Sequence, residues 1–184
     1  NDFSREQFGF TLGGPIVRDE THFFASVERI NEDNVSPFRP GGAFASQAAD
    51  VAHPFKQTLA FLGLDHQVND GQHLKAKFVY ERYREENFRV GGVGDVTSGM
   101  ELNRDNWNLT VGHSWTPGSK KVNQLTFQVG GRKYEEPPNS TALAEYFSSG
   151  NTLITGENIV GGLLGKSTQF ELRDTFSWHV EQGS

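Results

Sequence analysis

The segment from Gly161 to Ser167 has the residue types of a phosphate-binding loop, because glycines precede a Gly-Lys-Ser triplet. Such a loop requires another glycine five residues before the glycine of that triplet, and Val160 stands there. It also requires a helix directly afterwards, whereas the residues after Ser167 alternate like a β-strand. We therefore predict a flexible loop here, and no nucleotide or other cofactor.

The six histidines are the other candidates for chemistry. None repeats at a spacing such as His-x-x-x-His, and His66 and His73 are the pair that could approach each other, across a predicted turn. We predict no metal site. No nucleophile, base and orienting residue stand in a recognisable pattern, although distant residues can assemble such a set in space. The sequence therefore predicts that the chain is not an enzyme.

Composition narrows the class of protein. The chain has 184 residues, of which 35% are hydrophobic and 12% aromatic. Disordered chains have few aromatic residues, and a sheet with one apolar and one polar face fits both values. The net charge is −6 without a basic stripe, so we predict no nucleic-acid partner. There is no cysteine, and no apolar run approaches the roughly 20 residues of a membrane-spanning helix.

Residues His73 to Glu81 show the clearest structural pattern. Apolar and polar side chains alternate there, and Val79 is the single apolar residue at a polar position. Because successive side chains of a strand point to opposite faces, this run predicts a strand with one apolar and one charged face.

Similar runs occur in pairs joined by short turns, and long polar loops separate the pairs. The predicted turns are 18–20, 69–71 and 117–119; Asp70-Gly71 tolerates the positive φ angles of a tight hairpin. The predicted loops are Asn31–Phe55, Arg84–Asn103 and Glu135–Ser167. Seven strands are predicted, over about Glu6–Ile16, Thr21–Ile30, Gln57–Gln67, His73–Tyr83, Arg104–Thr116, Lys121–Tyr134 and Thr168–Val180.

The loops carry three further signals. Prolines keep Ser36–Gly42 out of a central strand, because proline has no N–H to donate. Ala142 to Phe147 are predicted to form a helical turn that Ser140 or Thr141 would cap. The acidic pairs Glu85-Glu86 and Glu135-Glu136 are predicted to be solvated loop charges.

Long strands and alternating short and long connections are typical of a transmembrane β-barrel. The predicted strands have about 10–13 residues, whereas soluble strands centre on about 5–6. Trp107 and Trp115 are eight residues apart on one face, or about 20 Å along a tilted strand, close to the ~25 Å apolar band of such barrels. We predict that the lipid-facing residues are Phe8, Phe10, Leu12, Phe23, Leu74, Phe78, Tyr80, Trp107, Leu109, Val111, Trp115, Leu125, Phe127, Phe170, Leu172, Phe176 and Trp178.

A sheet that spans lipid must close on itself, because lipid offers no partner to backbone polar groups. Seven strands are fewer than the about eight of the smallest bacterial barrels. The chain begins at Asn1 without an initiator methionine, and Gln182 to Ser184 read as the start of a turn. We therefore expect residues 1–184 to be a fragment of one all-β domain: an antiparallel up-and-down meander of about seven long strands, forming an open arc of a larger barrel.

Residues Gln7 to Glu28 resemble the first barrel hairpin of TonB-dependent outer-membrane receptors. The resemblance is strongest to the Oar-like group, whose members carry a carboxypeptidase-regulatory-like domain. It rests on Gln7-Phe8-Gly9, Gly13-Gly14-Pro15-Ile16, Arg18-Asp19 and Phe23-Phe24, while His22 departs from the aromatic or aliphatic residue often found there. Leu64–Asp70 and Glu171–Trp178 are weaker similarities.

The resemblance implies a barrel of about 22 strands with a plugged lumen in the bacterial outer membrane. It implies energised uptake of a large or scarce ligand, or an export-related role. The implied partners are outer-membrane lipid, the remainder of the barrel, its plug domain, and TonB through the parent protein. The three long loops would capture the extracellular ligand, whose identity the sequence leaves open.

An alternative is a soluble all-β binding module, such as a carbohydrate-binding sandwich. Strands of a sandwich also alternate. The two hypotheses differ in where the apolar face lies: it points outward around a single sheet in a barrel arc, and it packs between two sheets in a sandwich.

Overall fold

One antiparallel sheet dominates the structure. The computed structural model describes residues 3–158, 160 and 162–180. Its seven long strands pair in chain order, each with the next. These strands are β1 (Ser4–Val17), β2 (Thr21–Asp33), β5 (Phe55–Asn69), β6 (Gln72–Phe88), β7 (Met100–Trp115), β8 (Lys121–Glu136) and β11 (Leu163–Trp178).

The strands are longer than predicted at their loop ends. The ladder between β6 and β7 continues to the Phe88–Met100 pair, past a bulge that follows Glu85. Likewise β11 begins at Leu163, so Lys166 and Ser167 are strand residues, and the prediction of a flexible loop up to Ser167 is wrong there. Arg84–Phe88 and Leu163–Ser167 lack strict alternation, which is why the sequence pattern missed them, whereas Met100–Asn103 does alternate but was assigned to the middle loop. Gly161 and the predicted turn at Gln182–Ser184 lie outside the described residues.

The three tight turns form where they were predicted. In the second one, a two-residue loop joins Asn69 to its partner Gln72. Contrary to expectation, Asp70 and Gly71 are absent from the residues with positive φ in the described chain. Instead the Asn69 side chain accepts a hydrogen bond from the Gly71 N–H at 3.0 Å, and a register shift precedes it at Val68. Asparagine commonly makes this local bond, which closes the turn without a left-handed residue.

The long loops contain small ribbons of their own. In the first loop β3 (Val35–Phe38) pairs with β4 (Ala49–Ala52), so the proline-containing segment is extended but outside the main sheet. In the last loop β9 (Glu145–Phe147) pairs with β10 (Leu153–Thr155). This pairing replaces the helical turn predicted over Ala142–Phe147. The Ser140 hydroxyl does accept a bond from the Ala142 N–H, but no helix follows it.

The buried core lies among the loops and the adjoining strand ends. Met100 is fully buried, and Leu102, Val90, Phe38 and Leu153 are nearly so. In contrast, the middle of the sheet has no second layer among the described residues, and its contacts are with neighbouring strands. The sandwich alternative, which requires two facing sheets, is therefore wrong. No helix within the described ranges has the length and apolar character needed to cross a membrane.

Candidate functional site

Strand register places all seventeen predicted lipid-facing residues on one face of the sheet, hereafter the apolar face. Residues paired across an antiparallel ladder point to the same side. One row is apolar in every long strand: Leu12, Ala25, Leu62, Phe78, Leu109, Val129 and Phe170. The adjacent row toward the turns contains Gly14, Phe23, Leu64, Ala76, Val111, Phe127 and Leu172.

The apolar face is accessible to its surroundings. Phe8 and Phe10 are 61% and 63% exposed, and Phe170 is 81% exposed. Contiguous apolar patches of this extent are rare on soluble monomers and mark surfaces that meet a membrane or another protein. That each of these side chains contacts lipid stays a prediction.

Polar residues on the apolar face lie near its two ends, and several have partners on neighbouring strands. Asp174, an exception to alternation in β11, accepts a hydrogen bond from the Asn123 amide at 2.6 Å. Near the loop end, the Tyr80 hydroxyl donates to Asp105 at 3.1 Å, and Arg84 pairs with the same carboxylate at 2.6 Å. Near the turn end, the Lys121 ammonium lies 5.4 Å from the centre of the Trp178 ring.

The opposite, polar face carries hydrogen-bonded charges. Glu81 accepts bonds from Gln57 at 2.8 Å, Asn106 at 2.6 Å and Arg104 at 3.3 Å, so one carboxylate ties three strands together. Phe24 and Phe61 also lie on this face, with ring centres 5.9 Å apart. Phe24 is an apolar residue at a polar position of β2, and the contact with Phe61 gives its ring an aromatic neighbour.

The three predicted capture loops pack together into one unit, hereafter the loop assembly. The first loop is joined to the last through the Gly41 N–H, which donates to the Thr152 carbonyl at 2.9 Å. The middle loop is joined to the last through Asp95, whose Oδ2 accepts from the Thr155 hydroxyl at 2.8 Å. Asp95 Oδ1 also accepts from the Thr97 and Ser98 N–H groups, which caps a short 3-10 helix, Val96–Ser98. Each loop therefore helps to fix the others.

A serine, a histidine and a glutamate form a relay at the base of this assembly. The Ser36 hydroxyl lies 3.0 Å from His53 Nδ1, and His53 Nε2 lies 2.5 Å from Glu85 Oε1. Tyr83 donates to the other Glu85 oxygen at 2.6 Å. Sequence analysis missed this set because its members lie on β3, in the short segment after β4 and on β6. This set links the first loop to the sheet. Glu85 was predicted to be a solvated loop charge, but it lies in β6 and is hydrogen-bonded to His53 and Tyr83.

Glu136 also departs from the prediction of a solvated charge. Its side chain is fully buried at the end of β8. The Tyr134 hydroxyl donates to Glu136 Oε1, while Oε2 has no partner among the described residues. The close packing of the loop assembly over this strand end explains the burial, and nothing in the local sequence signals it.

The histidine pair considered from the sequence does not meet. His66 is paired with Leu74 on the apolar face, and its Nδ1 lies 2.8 Å from the Thr21 hydroxyl. His73 points to the polar face and lies 2.5 Å from Asp65. Within the described part of the chain, no group of three or more metal-ligating side chains is found.

Comparison with known proteins gives one family match. A family model described as an outer membrane beta barrel domain matches residues 1–40, which contain β1, β2 and β3. No match to a curated protein or to a solved structure is found for this chain. Together with the antiparallel meander, the family match identifies the sheet as an open arc of an outer-membrane β-barrel. The chain is located in the bacterial outer membrane, where lipid is part of its surroundings.

Proposed function

We propose that the chain forms part of the lipid-embedded wall of a TonB-dependent receptor or transporter of the Oar-like group. The observation that supports this proposal most directly is the pair of neighbouring rows that are free of polar side chains across seven strands. A wall whose other face carries charges such as Glu81 and Arg104 suits a barrel with a hydrated or protein-filled lumen.

The unpaired edges of β1 and β11 in the described sheet support a larger barrel. Backbone N–H and C=O groups that face lipid without partners are too costly to persist in a membrane. Residues 1–184 would accordingly be a fragment of a single barrel domain, with further strands of the same protein beside both edges. A count of about 22 strands and a plug in the lumen follow from the resemblance of the first hairpin.

The loop assembly would capture the extracellular ligand. Its main-chain and side-chain bonds join loops that are more than 100 residues apart, as between Ala43 N–H and Asn151 at 2.7 Å. A recognition surface that is fixed before binding loses less conformational entropy when its ligand arrives. The ligand itself is not specified by these residues.

Cross-linking in living cells tests the TonB-dependent part of the proposal. The full-length protein, carrying an affinity tag in an exposed loop, would be treated with formaldehyde, purified and probed with an antibody against TonB. We expect a cross-linked species that disappears in a strain without TonB. A properly inserted protein that gives the same pattern in both strains would contradict TonB dependence while leaving the barrel wall intact.

A further inference from the structure

The loop side of the apolar face carries a concentration of positive charge. Beyond the apolar rows, one row of paired residues contains Phe8, Arg29, Thr58, Arg82, Asp105, Lys133 and Lys166. The next row contains Glu6, Asn31, Lys56, Arg84, Asn103, Glu135 and Leu164. We call the six basic residues of these two rows the basic belt.

We propose that the basic belt binds phosphate-bearing headgroups of membrane lipids. This inference rests on the proposed function, because it requires the apolar face to lie in lipid. A cation placed just beyond an apolar band would meet the headgroup layer, where anionic lipids attract lysine and arginine.

The charge balance of the belt differs from that of the chain. Six basic and three acidic residues give these two rows a net charge of +3, whereas the whole chain has a net charge of −6. Two of the acidic residues are paired within the belt: Asp105 with Arg84 at 2.6 Å and Glu135 with Lys133 at 2.6 Å. The remaining excess of positive charge faces the surroundings.

Several belt residues are available to an anion. Arg29 donates to neutral partners, Asn31 at 2.9 Å and Thr58 at 2.6 Å. Lys56 and Lys166 are exposed. Arg82 is 3.8 Å from Asp105, and more than half of its side chain is exposed. An anionic headgroup would therefore not have to break a short ion pair to reach these cations.

The two ends of the apolar face are unequal. On the turn side, the charged strand residues of this face are Lys121 and Asp174, which cancel. Beyond the belt, Asp33 at the end of β2 and Glu101 near the start of β7 fall on the same face, so the excess of cations is confined to the two rows that border the apolar band on the loop side. This asymmetry fits a difference between the two lipid leaflets better than a general need for solubility.

A shallow cavity at the edge of the belt is lined by charged, polar and aromatic residues, as expected where acyl chains meet lipid headgroups. Asp105, Trp107, Gly131, Lys133, Lys166 and Thr168 are among the residues that line it. Tryptophan prefers the membrane interface, where its ring contacts acyl chains and its N–H remains near polar groups. Trp107 therefore marks the depth at which lipid phosphates would reach Lys166.

Lipid-selective quenching of tryptophan fluorescence tests this proposal. The full-length protein with its native tryptophans would be inserted into vesicles that mix unlabelled lipid with brominated phosphatidylglycerol or brominated phosphatidylcholine. We expect phosphatidylglycerol to quench more effectively, with a relative affinity at least about fivefold higher at low salt. The preference should shrink at high ionic strength, because salt screens exposed charges.

Variants assign the preference to the belt. The triple change Arg29→Gln, Lys56→Gln and Lys166→Gln should abolish it. The matched change Lys75→Gln, Lys77→Gln and Arg173→Gln removes the same charge from the polar face and should leave it unchanged. Quenching by brominated phosphatidylcholine should be equal in both variants, which shows that both remain inserted.

The outcomes separate the two proposals. If phosphatidylcholine and phosphatidylglycerol quench the native protein equally, the basic belt does not select lipid and the inference fails. If neither lipid quenches, the apolar face is not in lipid and the proposed function fails first. Inorganic phosphate would also be added at the same concentration as the lipid. If it removes the preference for phosphatidylglycerol, the belt binds free phosphate, and the assignment to a lipid headgroup is overturned.

Discussion

Gly131 determines where the indole ring of Trp107 can lie. The two residues are paired across β7 and β8, and a Cβ atom at position 131 would overlap the Trp107 ring. Glycine is therefore required here for close approach of a side chain, in a strand where it otherwise lowers stability. The ring extends over β8 at the boundary between the apolar rows and the basic belt.

Changing Gly131→Ala should displace the Trp107 ring. In a background with Trp115→Phe and Trp178→Phe, we expect a shift in the fluorescence maximum and a loss of roughly 1–3 kcal/mol of stability, as is usual for overpacking. The control is Gly112→Ala on the polar face of β7, where an added Cβ would meet nothing within 4 Å. An unaltered emission spectrum in Gly131→Ala would refute the role assigned to this glycine.

Glu136 combines full burial with an unpaired carboxyl oxygen. An unsatisfied buried polar atom costs about 1–3 kcal/mol. The bond from the Tyr134 hydroxyl needs only one of the two oxygens. The second oxygen makes no hydrogen bond with the described residues, so it adds no stabilising interaction there.

Replacing Glu136→Gln should keep the bond from Tyr134 while removing an ionisable group from the interior. We expect the midpoint of denaturant unfolding at neutral pH to be unchanged or higher, whereas Glu136→Ala should lower it because it leaves a cavity and an unpaired hydroxyl. Lower stability of the glutamine variant, at the level of the alanine variant, would mean that the second oxygen has an essential partner.

At the scale of elements, the loop assembly depends on long-range side-chain bonds. Asp95 caps the 3-10 helix of the middle loop and also bonds to Thr155 in β10. Asp50 provides a contrast, since its ion pair with Arg39 is about half exposed on both sides. Exposed ion pairs contribute little to stability, whereas a lost cap costs roughly 0.5–2 kcal/mol.

Changing Asp95→Ala should loosen the middle and last loops together. We expect faster amide hydrogen exchange at Thr97, Ser98 and Thr155, with the seven long strands unaffected. Asp50→Ala is the matched control and should leave exchange in these loops as it was. Faster exchange confined to residues 96–98 would show that the loops are not coupled through Asp95.

The seven strands and their turns were predictable because each rests on a local pattern. Alternation over His73–Glu81 and turn residues such as Asn69 act within a few positions. The relay of Ser36, His53 and Glu85 was not predictable, because 32 residues separate His53 from Glu85 and neither lies in a motif. The same holds for the β9–β10 ribbon, where strand pairing prevailed over the helical tendency of Ala142–Phe147.

At the scale of the whole molecule, the buried core that stabilises the sheet lies at its loop end. Its buried residues lie in and beneath the loop assembly, while the apolar rows in its middle lack a covering layer among the described residues. In water this face would expose large aromatic side chains. If this face lies in lipid, it requires no covering, and the loop assembly would form a folded cap above the membrane.

The two faces should respond differently to one added charge. In the full-length protein, Leu109→Arg places a cation in the row that is apolar in all seven strands, so we expect a cost of about 2–4 kcal/mol. Thr110→Arg adds the same charge to the polar face and should cost much less. Unfolding titrations in lipid vesicles measure both, and equal losses would contradict the face assignment.

The most direct test is the environment of single cysteines along β7. The chain has no native cysteine, so each of positions 107–112 can be changed to cysteine and labelled with a nitroxide. In bilayers, collision rates measured by electron paramagnetic resonance should alternate: labels at 107, 109 and 111 should favour oxygen, and labels at 108, 110 and 112 a water-soluble nickel complex. Two sets that favour the same agent would contradict the assignment of the apolar face to lipid.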